Sequence, residues 1–253
     1  MRLRQVALVS NRLDSVISDF GKAFGLKVAY EDPNVGVYGL RNAVLPCGTG
    51  FLEVVEPVSA DASAARFLAR RGGEAGYMII IQTPDAVAQR DRVAALGVRV
   101  VETIDRPDYF CAHFHPSDFG GVLTSLDQQR TESDYLKPFG DWMPAGDNWR
   151  PARTDGVLDI VSVTVDSSTP DELARRWAQL LNRPLDGADP RRLPLTQGAI
   201  LFRHAPDARG AVIASMDLKV RNPEATRRSA KEAGLDVSPE GIAIGGMRFQ
   251  PVA

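Results

Sequence analysis

Two histidines spaced i, i+2 stand in the stretch HFHPSDFGG, and this chain of 253 residues holds only three histidines in all. On a strand Cys111, His113 and His115 point to one side and Phe114 to the other. A pair so placed can move protons near neutral pH, or bind a metal if a third ligand such as Glu53 reaches the same face. The blander outcome has His113 satisfied as a half-buried strand residue and His115 hydrogen-bonded within the HPSD turn. Glu53 carries a sharper expectation. In FLEVVEP it shares a strand face with Phe51 and Val55, a carboxylate among apolar neighbours. Burial of that kind raises a carboxyl's pKa and suits it to general-base work. The third histidine, His204 in FRHAP, lies near a strand end and reads as solvated. Cys47 and Cys111 have no helix N-terminus or basic neighbour to activate them, so they read as buried structural thiols. No phosphate-binding loop, dinucleotide fingerprint or nucleophile elbow is present; GTGFLE lacks the later glycine and the following helix.

A unit that recurs four times must position these residues. Each copy runs from a β-branched strand through a helix start and a helix to Gly or Asn and further strands: VALVS to AFGLKVAY, MIIIQ to ALGVRVV, IVSVTV to LLNRPL, and SMDLKV to EAGLDV. Thr83–Pro84, Thr169–Pro170 and Asn222–Pro223 each offer an N-cap acceptor followed by proline at the first helical position. Gly25, Gly97 and Gly234 stand where a left-handed residue ends a helix. Val16, Ile17, Phe20 and Phe24 share one face of the first helix, which must therefore lie on a sheet. The expected fold class is α+β, four βαβββ units paired into two domains at 1–128 and 157–253, the second more divergent. Between them 129–156, rich in Pro, Gly and Asp, reads as a linker pinned by Trp142 and Trp149, or as a segment that closes over a pocket.

Composition bounds the partners. The chain is 44% hydrophobic and 25% charged with a net charge of -2, which gives no broad electrostatic attraction to nucleic acid or to an anionic membrane. No apolar run approaches the ~20 residues that span a bilayer, and the opening MRLRQVALVS is too short and unflanked for a signal peptide. Two cysteines allow no disulfide framework. The expectation is a cytoplasmic protein that takes a small-molecule substrate or ligand.

The paired units, with RQVALVSNRLDSV, FGKAFGLKV, GTGFLEVVEP, EAGYMIIIQTPD, ALGVRVV and above all HFHPSDFGGVLTSLD, resemble the glyoxalase-like and methylmalonyl-CoA epimerase-like branch of the vicinal oxygen chelate superfamily. The resemblance covers the first domain almost throughout; the second matches in layout alone. It implies a cup of strands in which four positions hold a divalent metal. Carried over one by one, those positions fall on Gln5, Glu53, Met78 and Ser125, and in the second domain on Ile160, Leu201, Ser215 and Gln250. Thioether and hydroxyl are poor ligands for hard or borderline divalent ions. The expectation is therefore that the metal site is lost in both domains and that no cofactor is used. A residual position of this kind could also leave Glu53 satisfied by a hydrogen bond from Gln5.

If the cup persists, Glu53, His113, Tyr77 and Asn42 converge on a substrate. Glu53 or His113 would move a proton, with Tyr77 and Asn42 holding a carbonyl or phenolate oxygen. Arg41 is a candidate for an anionic group, against the default of a solvated charge; for Tyr77 and Met78 the default is core packing. Three functions stay open: a metal-independent lyase or isomerase, a sequestering protein of the bleomycin-resistance kind, and a metal enzyme of glyoxalase or dioxygenase type with displaced ligands. The resemblance also implies a homodimer; the degenerate second domain reads as structural, completing the pseudo-symmetric pair or the dimer interface.

Overall fold

The structure, a computed structural model, describes residues 1–206 and 210–253. Its four modules follow the repeats. The first comprises β1 (Arg2–Val9), α1 (Leu13–Phe24), β2 (Leu40–Cys47) and β3 (Gly50–Pro57), followed by a short helix α2 (Ser63–Arg71) that the repeat pattern does not announce. The second comprises β4 (Ala75–Gln82), α3 (Ala86–Ala95), β5 (Val100–Asp105), β6 (Tyr109–Phe114) and β7 (Leu123–Gln129). The third comprises β8 (Val157–Ser167), α4 (Pro170–Leu181), β9 (Arg192–Pro194) and β10 (Ala199–His204). The fourth comprises β11 (Val212–Val220), α5 (Pro223–Glu232), β12 (Val237–Ser238), β13 (Gly241–Ile244) and β14 (Met247–Val252).

In every module the first strand pairs in parallel with the last: β1 with β3, β4 with β7, β8 with β10 and β11 with β14. A parallel pair needs a crossover, and the helix supplies it on one face of the sheet. The remaining strands pair antiparallel. Modules two and four carry three strands after the helix. In module one the first of the three shrinks to the bridge Tyr30–Val44, because Pro33–Tyr38 turns as a 3-10 helix instead.

Helix ends follow the local chemistry, with one correction. Asn222 caps α5 by accepting from the Ala225 N–H, with Pro223 next. Thr169 precedes Pro170 as expected, but its side chain makes no capping bond. Thr83–Pro84 does not start α3. The cap there is Asp85, which accepts from the Ala88 N–H at 2.9 Å, because a carboxylate two residues on competes better for the free amides. Gly25 and Asn182 end α1 and α4 in the left-handed region, at φ 68° and 50°.

Two compact units are recognisable, and each takes one module from either half of the sequence. The β1 unit consists of Gln5–Gly76, Pro144–Val161 and Ala214–Ala253; the β4 unit consists of Met1–Arg4, Tyr77–Met143 and Ser162–Ile213. In the β1 unit α1 packs on α5, and Phe20 meets Phe249 edge-on at 4.8 Å. In the β4 unit Trp177 of α4 lies between Phe119 and Phe202 and donates its indole N–H to the Phe119 carbonyl at 3.2 Å. Trp142 and Trp149 are both fully buried, one in each unit, so the connecting segment is pinned as its tryptophans suggest. Among the described residues no helix is long and apolar enough to cross a membrane.

The β2–β3 turn is held tightly. Gly48 has φ 66°, and a Cβ there would overlap the Leu158 carbonyl. Gly48→Ala is expected to destabilise the fold by about 2 kcal/mol or more, read as a drop in the midpoint of chemical denaturation; an unchanged midpoint would show that this contact can relax.

Candidate functional site: a clamped carboxyl on the polar face of β3

In the β1 unit the strand register decides which side chains meet. Gln5 pairs with Phe51 and Ala7 with Glu53, while Asn42 pairs with Val55 and Val44 with Glu53. Gln5, Asn42, Phe51, Glu53 and Val55 therefore share one face, opposite α1. Glu53 is half-buried, while Gln5 and Asn42 are buried. The Asn42 amide donates to Glu53 Oε1 at 2.7 Å, and the Gln5 amide donates to Oε2 at 2.8 Å. Asn42 is itself aimed by the Asp32 backbone N–H, which donates to its Oδ1 at 2.8 Å.

Burial pushes the Glu53 pKa above the ordinary carboxylate range, and nearby Asp32 adds to the rise; the two amide donors oppose it. Each carboxylate oxygen has about two lone-pair positions, so one on each is left after the amides are served. The result is a carboxyl of fixed orientation, more basic than usual and still partly open. Arg41 does not join it. It lies on the other face of β2 and is exposed, paired with Glu56 at 2.5 Å and with Asp14 at 3.0 Å, because a solvated guanidinium beside two carboxylates satisfies itself locally.

The β4 unit collects the other candidates. His113 pairs with Ser125, and Ser125 with Ile80 two residues from Met78, so these side chains lie on one face. His113 is half-buried; its Nε2 stands 3.6 Å from Cys111 Sγ. Burial lowers its pKa, opposed by Glu102 on the neighbouring strand, so the ring is neutral at physiological pH. Tyr77 is placed on the opposite face of β4 from Met78, since successive strand residues alternate, and so does not join His113. His115 does not continue the face of Cys111 and His113 either. The strand ends at Phe114, and His115 caps the 3-10 turn, its Nδ1 accepting from the Ser117 N–H at 3.3 Å and lying 3.0 Å from the Arg99 guanidinium. Both cysteines are buried, and burial pushes their thiols well up.

The four positions implied to hold a metal do not form a fitting donor set. Gln5 gives its N–H to Glu53, Ser125 is buried against another carboxyl, and Met78 offers only a thioether. Among the described residues no group of three or more His, Cys, Asp and Glu side chains stands ready for a metal ion.

One buried acid stands outside the residues singled out above. Asp127 of β7 shares the face of Ser125 and Cys111 and is fully buried, hydrogen-bonded to the Tyr109 and Ser125 hydroxyls. Burial pushes its pKa up to about 7. Ser125 Oγ also lies 3.3 Å from the Ala112 carbonyl. One hydroxyl hydrogen cannot serve two acceptors, so the network closes when Asp127 is protonated, donates to Ser125 and lets Ser125 donate to Ala112. The signal for it lies in the alternation of Tyr109, Cys111 and His113 against Ser125, Asp127 and Gln129, which puts all six on one side.

A profile of the glyoxalase-like domain family matches residues 6–181. Among the curated proteins none matches the sequence. Among solved structures, a 4-hydroxymandelate synthase variant from Streptomyces coelicolor is similar over 92% of this chain and 75% of its own, at 17% identity and a TM-score of 0.67, a likeness of fold. A methylmalonyl-CoA epimerase variant from the same organism, in complex with 2-nitronate-propionyl-CoA, is 25% identical over 51% of this chain and 97% of its own, with a TM-score of 0.47. The epimerase from Mycobacterium tuberculosis is 26% identical over 51% and 87%, with a TM-score of 0.46.

Asp127 has a consequence for stability. Its folded pKa of about 7 exceeds the unfolded value, so the folded state keeps a proton that the unfolded chain releases. Stability is full below the ordinary carboxylate pKa and falls as pH rises towards about 7. Asp127→Asn, which keeps the shape and both hydrogen bonds, is expected to flatten that fall in melting temperature measured from pH 4 to 8. Parallel profiles for the two proteins would contradict it.

Proposed function

This chain belongs to the glyoxalase-like domain family of the vicinal oxygen chelate superfamily, and on that footing we propose that it is a metal-independent enzyme, a lyase or isomerase that removes a proton beside a carbonyl or phenol of a small organic molecule. The observation that carries this reading is the Glu53 carboxyl, half-open, held at both oxygens by Gln5 and Asn42 and made more basic by burial. A base so placed needs no reorganisation when it takes a proton, because its orientation is set by the two amides and, behind them, by the Asp32 backbone. The clamp also tells against a metal role for Glu53, since Gln5 and Asn42 turn amide donors, not ligand oxygens, towards the carboxyl. His113 is a second, separate acid–base candidate in the β4 unit, neutral and therefore able to accept a proton. Met78 and Ser125 beside it are candidates for substrate contact.

The test is exchange of substrate carbon-bound hydrogen for deuterium in D2O, followed by mass spectrometry across a panel of 2-oxo acids, thioesters and phenols. Glu53→Gln is expected to slow exchange of the best substrate by about 10²–10⁴-fold. In the wild-type protein the rate is expected to rise with pH through an inflection above the ordinary carboxylate range, since the base must first lose its proton. Dialysis against a chelator is expected to leave the rate unchanged. Full activity in Glu53→Gln, or a loss on chelation that Mn, Co or Ni restores, would overturn the reading.

A further inference from the structure

Module one departs from modules two and four at the place where they run a further strand, and the departure falls beside Glu53. Modules two and four keep β5 and β12 there, paired with β6 and β13. In module one the Tyr30–Val44 bridge is held by two main-chain bonds of 2.8 Å, from the Val44 N–H to the Tyr30 carbonyl and from the Ala29 N–H to the Val44 carbonyl. Continued by two residues, that antiparallel register sets Asp32 opposite Asn42, at the next position where the ladder exchanges main-chain bonds. The Asp32 N–H goes instead to the Asn42 side chain, 2.8 Å from Oδ1. The chain leaves the ladder there and turns into the 3-10 helix Pro33–Tyr38, which Asp32 caps by accepting from the Asn34 N–H at 2.9 Å. Before Asp32 the strap is fixed by the bridge and by the connector, since a Cβ at Gly146 would stand 2.7 Å from the Tyr30 ring.

This diversion settles the polarity of the Asn42 amide. A main-chain N–H can only donate, so it holds the Oδ1 end and turns the Nδ2 end to Glu53 Oε1, 2.7 Å away. Reversed, the amide would set N–H against N–H at Asp32 and its carbonyl against the Glu53 carboxyl. We propose that Asp32 is a positioning residue for the candidate base: its main-chain N–H, withdrawn from the strand ladder, keeps a donor turned to Glu53 and so fixes the direction in which that carboxyl meets a C–H or O–H. This rests on the reading of Glu53 as the base. Asp32 acts through Asn42 and needs no contact with substrate. Its side chain has the separate task of capping the turn that follows, so the two parts of Asp32 can be separated by substitution. The irregular strap of module one is thereby part of the machinery of the site.

Asp32 has φ -84° and ψ 112°, close to the φ of about -65° that proline requires. Asp32→Pro therefore deletes the N–H with little change of path, while Asp32→Ala removes the capping side chain and keeps the N–H. Both lose the cap, so the difference between them reads the N–H alone. With the fastest-exchanging compound of the 2-oxo acid, thioester and phenol panel at saturation, deuterium exchange in Asp32→Pro is expected to run about tenfold or more below that in Asp32→Ala, with KM within about twofold. Asp32→Asn, which keeps the N–H and a capping oxygen, is expected to exchange at nearly the wild-type rate. Equal rates in Asp32→Pro and Asp32→Ala, or a loss in Asp32→Asn as deep as in Asp32→Pro, would overturn the proposal. A measurement on the wild-type protein holds however Asp32→Pro folds. Labelled with ¹³C and ¹⁵N, it is expected to show scalar coupling across the hydrogen bond from the Asp32 amide nitrogen to Asn42 Cγ. Coupling to the Asn42 main-chain carbonyl instead would return Asp32 to the ladder and overturn the proposal. Unchanged exchange in Glu53→Gln defeats the reading of the base. Exchange lost in Glu53→Gln but equal in Asp32→Pro and Asp32→Ala defeats the positioning role alone, so the two failures are told apart.

Discussion

The parallel pairing of each module's first strand with its last is the constraint from which the remainder follows. It requires a crossover, and the helix that makes the crossover covers one face of the module's sheet. That face becomes the apolar core, with Phe20 and Phe249 in one unit and Trp177 between two phenylalanines in the other. The opposite face is released from packing against its own helix, and the polar side chains of β1, β2 and β3 gather there. Because strand side chains alternate, one register assigns every residue to a face at once. Gln5 faces Glu53 while Arg41, next to Asn42, is sent to solvent.

The two buried carboxyls show how the same burial is put to different ends. Desolvation dominates at both Glu53 and Asp127 and raises both pKa values. Glu53 is surrounded by amide donors that cannot take a proton from it, and it is only half-covered, so it can exchange a proton with a bound molecule. Asp127 is surrounded by hydroxyls that can accept as well as donate, and it is closed off. Its proton is absorbed into a chain ending at the Ala112 carbonyl, a structural use that ties β6 to β7. Donor type and access, not burial alone, separate the candidate base from the structural acid.

Much of this was legible in the sequence, and the failures have identifiable physical origins. The repeat, the caps at Asn222 and Gly25, the buried cysteines and the face shared by Phe51, Glu53 and Val55 follow from period, propensity and chain chemistry. So does the bond from Gln5 to Glu53, once those positions are set side by side by resemblance. Tyr77 was expected among the converging residues, but alternation on β4 turns it away from the face of Met78 and Ser125. His115 reads both as a continuation of the face of His113 and as an anchor of the HPSD turn; Pro116 ends the strand, and the turn reading is the one that holds. Asp127 escaped because an acid near a strand end reads as solvated unless its hydroxyl partners, eighteen residues away at Tyr109 and across the pleat at Ser125, are known.

The central claim is that Glu53 is a clamped carboxyl poised as a base, and its own titration tests it most directly. Carbon-13 labelling of glutamate side chains, with Glu53→Gln to assign the signal, would report the Glu53 carboxyl resonance as a function of pH. The account predicts an inflection above the ordinary carboxylate range, in keeping with a desolvated acid whose amide donors only partly offset its burial. An inflection at or below that range would mean that the carboxyl is simply ionised and satisfied by Gln5 and Asn42, and would contradict its assignment as the base.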